Sequence, residues 1–107
     1  MLDIIIRGGA VVDGTNRKKY LADVGIKRGR ITKIGNLTNA TAQTIIEAKD
    51  SVVAPGFIDI HNHSDGYWTL FNYQLLPSMV RQGVTTIMGG GSGTSLAPLA
   101  TPETIMA

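Results

Sequence analysis

Hydrophobic and polar positions change their rhythm at Pro55. Before it, apolar runs are short and broken by turn residues. Asp3 to Arg7 is one such run, closed by Gly8-Gly9, and Ala10 to Asp13 is the next, closed by Gly14. The two read as strands joined by a tight glycine turn, since glycine supplies the positive φ such turns need. Ala22, Val24 and Ile26 then alternate with Asp23, Gly25 and Lys27, the period-two pattern of a half-buried strand. Arg28-Gly29 predicts a hairpin turn and Arg30 to Ile34 the returning strand. Gly35 to Ala42 is polar and predicts a loop, with Asn36 and Asn39 as turn formers. Thr44 to Glu47 and Ser51 to Ala54 give two more extended runs. Short strands at this spacing predict a small sheet or sandwich over residues 1–55.

After Pro55-Gly56 the grammar is that of alternating strand and helix. Phe57 to Ile60 predicts a buried strand that runs on to His63. Leu75, Leu76, Met79 and Val80 share one helical face, with Pro77 marking a helix start or a kink. Gly83 suits the residue just past a helix end. Val84 to Met88 predicts a second buried strand, so the segment reads as a βαβ unit with parallel strands. It runs into Gly89-Gly90-Gly91-Ser92-Gly93-Thr94-Ser95. That loop has neither the Lys-Ser/Thr ending of a P-loop nor a dinucleotide fingerprint. The better reading is that its glycines let backbone pass close to a site at the carboxyl ends of the strands, where Ser92 and Ser95 can donate or satisfy the turn. Thr101-Pro102-Glu103 predicts another helix start.

The chemistry gathers at the end of the Phe57 strand. His61 and His63, the two histidines of the chain, are two positions apart. On a strand, such side chains share a face about 6.6 Å apart, and two imidazoles can converge on one cation. Asp59 has the same parity, whereas Ile58 and Ile60 point the other way. A carboxylate and two imidazoles form a face that is costly to bury unless a charge sits there. The plain alternative is a pair of polar residues at a loop.

Composition narrows the remaining classes. The 107 residues are 43% hydrophobic and 17% charged, with a net charge of +2, as expected of an ordinary globular chain. Arg17-Lys18-Lys19, and Lys27-Arg28 with Arg30, flank turns and predict solvated loops rather than a nucleic-acid footprint. Cysteine is absent, which rules out disulfides and thiolate ligands from these residues. The first residues lack the pattern of a signal peptide, and no apolar run is long enough for a membrane span. The default expectation is a cytoplasmic location with no nucleic-acid or membrane partner.

The motif Ala54-Pro55-Gly56-Phe57-Ile58-Asp59-Ile60-His61-Asn62-His63 resembles the first barrel strand of the amidohydrolase superfamily. Gly83-Val84-Thr85-Thr86-Ile87, the glycine loop, and Ser95-Leu96-Ala97-Pro98-Leu99 resemble the N-acyl-D-amino-acid deacylase (D-aminoacylase) branch. The resemblance covers the chain but only the opening portion of such an enzyme. It implies an α+β or α/β architecture: a β-sandwich-like domain over 1–55, then over 56–107 the incomplete start of a metal-dependent (β/α)8 barrel. A whole barrel takes about 250 residues, so a longer protein is expected. The resemblance also implies His61 and His63 as ligands of Zn²⁺ or another divalent metal, one or two ions, with Asp59 beneath them. These enzymes commonly carry a cysteine ligand in an Asn-Cys-Gly context after the second strand. The matching positions here read Gly91-Ser92-Gly93, and serine is a poor zinc ligand beside a thiolate. The implied activity is metal-dependent hydrolysis of amide bonds in N-acyl-D-amino acids. A cyclic-amide hydrolase of the dihydroorotase or hydantoinase kind shares the His-x-His strand. A third reading is an inactive β-rich interaction module that associates with itself or with the rest of a longer chain.

Overall fold

Two continuous backbone ladders carry the fold, one on each side of Pro55. The computed structural model describes residues 1–66, 72–73, 75–91 and 93. The chain divides into two compact units, Met1–Pro55 and Gly56–Ala107.

In the first unit, β1 (Leu2–Val11) is the central strand. On one side β2 (Tyr20–Lys27) pairs with it antiparallel, and β3 (Arg30–Gly35) pairs antiparallel with β2. On the other side β4 (Ala42–Glu47) and β5 (Val52–Val53) run parallel to it. The result is one mixed five-stranded sheet, not the two facing sheets of a sandwich.

The predicted reversal at Gly8-Gly9 does not occur. β1 passes straight through, with a register shift between Ile6 and Gly9. Two residues, Arg7 and Gly8, lie opposite Asp23 alone between the Ile6–Val24 and Gly9–Ala22 pairs. That is a bulge: Gly8 takes positive φ, at 71°, and its N–H is held at 2.8 Å by Asp23 Oδ1. Gly9 is required for space: a Cβ there would lie 3.2 Å from Ala48 Cβ and 2.5 Å from Val53 Cγ2. The other predicted turn is present. Arg28 and Gly29 both take positive φ, 51° and 70°, and join β2 to β3.

Ile5, Val11, Val24, Leu37 and Ala48 form the buried apolar set. Ile5 is fully buried, paired with Gly25 on one side and Ile45 on the other. Asp23 is also buried, and its Oδ2 accepts the Leu37 N–H at 2.8 Å. One carboxylate thus ties the β1 bulge to the loop after β3.

In the second unit, β6 (Phe57–Asp59) and β7 (Val84–Ile87) are parallel neighbours. The connection contains α1 (Pro77–Val80), a single turn with proline at its start. The strand–helix–strand order and the parallel pairing match the sequence reading. Three details do not. β6 stops at Asp59 rather than His63. Its residues are not buried: Phe57 and Ile58 are 63% and 67% exposed, because a two-stranded ladder covers neither face. The helix is shorter than the predicted apolar face, since Leu75 and Leu76 precede it and no residue in it is buried. Gly83 takes φ 82° and returns its N–H to Val80 O, which closes the turn before β7. No closed barrel exists among the described residues.

Candidate metal centre

β6 delivers the two histidines to one place although neither is part of the strand. Beyond Asp59 the chain leaves the ladder, because side chains take over the backbone groups. Asp59 Oδ1 accepts the His61 backbone N–H at 3.0 Å. Asn62 Nδ2 donates to Asp59 O and to Met88 O, both at 3.3 Å. Asn62 Oδ1 accepts the Ser64 N–H at 3.1 Å, an Asx turn. The strand pair itself is closed at this end by Met88 N–H on Asp59 O, 2.9 Å.

The rings of His61 and His63 come out with centroids 5.9 Å apart and planes at 61°. Both residues are exposed. Two imidazoles on one ion place their ring centres about 5–6 Å apart, given metal–nitrogen distances of about 2.0–2.1 Å. The observed spacing fits that. Asp59 is half-buried and spends one oxygen on the His61 backbone. Among the described residues no group of three or more His, Cys, Asp or Glu is placed to hold an ion. A catalytic zinc site takes three protein ligands, so His61 and His63 by themselves do not complete one. Ser92, Ser95 and the Thr101-Pro102-Glu103 segment lie outside the described residues.

The glycine loop approaches closely, as its composition predicts, and what it approaches is a carboxylate. Asp65 Oδ2 accepts the Gly90 N–H at 2.6 Å. A Cβ on Gly89 would stand 3.0 Å from the same oxygen. The Gly90 N–H that a phosphate would need is therefore already engaged. Sequence reading missed both Asn62 and Asp65. The available signal was an Asn between two histidines and an Asp two residues on, side chains that capture nearby backbone.

Gly56 explains the Pro-Gly that precedes β6. A Cβ at that position would overlap the Thr85 side chain on β7, with Thr85 Cβ at 2.6 Å. The register that brings Asp59 level with Ile87 therefore depends on a glycine there.

No protein-family model matches the chain. A D-aminoacylase from Alcaligenes xylosoxydans xylosoxydans is 44% identical over 98 residues, covering 92% of this chain and 20% of that protein. A solved D-aminoacylase, studied for its binuclear metal centre, superposes with a TM-score of 0.82 at 44% identity, over 94% of this chain and 21% of that one. The chain is homologous to the N-terminal part of the D-aminoacylases, in the amidohydrolase superfamily. It spans about a fifth of the length of these relatives. Another D-aminoacylase relative, N-acyl-D-glutamate deacylase from Bordetella bronchiseptica, was solved with zinc and a phosphonate mimic of the tetrahedral intermediate. It superposes with a TM-score of 0.84 at 40% identity, over 94% of this chain and 21% of that one. Divalent metal is thus a property of solved members of the D-aminoacylase branch. No helix among the described residues is long and apolar enough to cross a membrane.

Proposed function

We propose that this chain is the N-terminal part of a metal-dependent amidohydrolase that deacylates N-acyl-D-amino acids. Residues 1–55 are its N-terminal sheet segment and residues 56–107 the incomplete start of its barrel. The observation that carries the reading is the 5.9 Å pairing of the His61 and His63 rings at the carboxyl end of β6. That pairing stands in a chain 44% identical to a D-aminoacylase.

His61 and His63 would hold the ion, zinc in the first instance, as neutral imidazoles. When bound, a divalent ion supplies Lewis-acid activation of water and of the amide carbonyl near neutral pH. Asp59 fixes the first of the two ligands through its backbone N–H. The proton for the leaving amine would come from a group other than the two imidazoles.

The test is hydrolysis of N-acetyl-D-amino acids by a longer chain that carries this sequence, before and after chelation, with hydantoins as the competing substrate. Release of D-amino acid that chelator abolishes and zinc restores is expected. Turnover indifferent to chelation, or confined to hydantoins, refutes the proposal. The 107 residues alone should show negligible turnover, since two ligands do not complete a catalytic site.

A further inference from the structure

Among the described residues of the second unit, the two buried ones are polar: Asn62 at 8% exposure and Asp65 at 7%. Burying an amide and a carboxylate is unfavourable unless both are hydrogen-bonded. What the pair organises is on either side of it. Asn62 stands between the two histidines and joins the carbonyls of Asp59 and Met88, one at the end of each strand. Asp65 grips Gly90 at the start of the glycine loop, against a Gly89 that has no side chain to hold it off.

We propose that Asn62 and Asp65 are positioning residues that latch the His61–His63 loop to the carboxyl end of β7 and its glycine loop. The two imidazoles are then set at their spacing before an ion arrives. This rests on the reading of His61 and His63 as ligands. The latch uses three hydrogen bonds of Asn62 and one of Asp65. Each anchor is within two residues of a histidine, so ring placement follows backbone placement. Partners that hydrogen-bond a metal ligand directly are worth about 10- to 100-fold in metal affinity, which bounds the effect of anchors that act through the backbone.

The test is Zn²⁺ titration by calorimetry, with Co²⁺ absorption as the spectroscopic readout, on the full chain and on Asn62→Ala, Asp65→Ala, Asp65→Asn and His61→Ala variants. Both alanine variants should bind more weakly, by at most about 100-fold. Asp65→Asn keeps an oxygen for the Gly90 N–H and should recover most of the affinity. Wild-type affinity in both alanine variants, with His61→Ala defective, overturns the latch and leaves the metal reading standing. Wild-type affinity in His61→Ala overturns the metal reading itself. One measurement needs no variant: in the metal-free wild type, the Gly90 amide should be protected from hydrogen exchange. Exchange at the rate of an unstructured peptide would show that the latch is not set in advance and would overturn the proposal.

Discussion

Replacing Asp23 with alanine should be among the most damaging changes to the first unit, and its cost can be worked from two bonds. Asp23 Oδ1 and Oδ2 each accept one backbone N–H at 2.8 Å, from Gly8 and Leu37. The Leu37 N–H is buried, so losing its acceptor costs about 1–3 kcal/mol. Gly8 is exposed, and water can replace its partner, so that bond contributes only about 0.5–1 kcal/mol. The sum is about 1.5–4 kcal/mol, a large share of the 5–15 kcal/mol usual for a domain. With a mid-range urea slope of about 2 kcal/mol per M, the unfolding midpoint should fall by about 0.8–2 M. The control is Asp3→Ala, which removes an equally short bond, 2.6 Å to the Arg28 N–H, at an exposed site. It should cost less than about 1 kcal/mol. Asp23→Asn should fall between, since its amide offers an oxygen to one N–H and a donor to the other. Equal midpoints for Asp23→Ala and Asp3→Ala would refute the argument that burial sets the cost.

Gly56→Ala should destabilise the β6–β7 pair by about 1–3 kcal/mol, and Thr85→Ser should not rescue it, because Cβ remains in place; faster hydrogen exchange at the Phe57 and Met88 amides is the readout. Arg28→Asn should raise the thermal midpoint by about 0.5–1 kcal/mol equivalent, since φ 51° suits asparagine in a turn of this kind. The Asp13 carboxyl is held below its ordinary value by the Thr15 hydroxyl first, then by the Thr15 N–H, the Tyr20 hydroxyl and Arg17. Its carbon shift should therefore titrate below the ordinary 3.8, and Thr15→Val should move the midpoint up. A depressed carboxyl stabilises the fold above its unfolded value and loses that contribution as pH falls through the folded one. Tyr20 is the mirror case: Asp13 raises it, so its contribution is complete below about 10 and fades at higher pH.

Local pattern was enough for part of the strand inventory. Alternation located β2, two positive-φ residues made the Arg28-Gly29 turn, and proline marked the start of α1. Pattern also singled out His61 and His63; their ring centroids lie 5.9 Å apart, but on a loop past Asp59 and not on the face of a strand. Gly8-Gly9 shows where pattern stops. A hairpin and a bulge ask for the same residue, and the choice fell to Asp23, fifteen positions away, which captures the Gly8 N–H. The strand from Phe57 ended early for the same kind of reason, since Asn62 competes for Asp59 O and Met88 O. The expected burial of Phe57 and Ile58 failed because burial depends on what lies across the sheet, which periodicity does not encode. The sequence by itself therefore determined which residues could extend and turn, and which ones to propose as ligands. Tertiary structure decided which buried carboxylate and amide hold them in register, because a hydrogen bond between distant positions leaves no period in the chain.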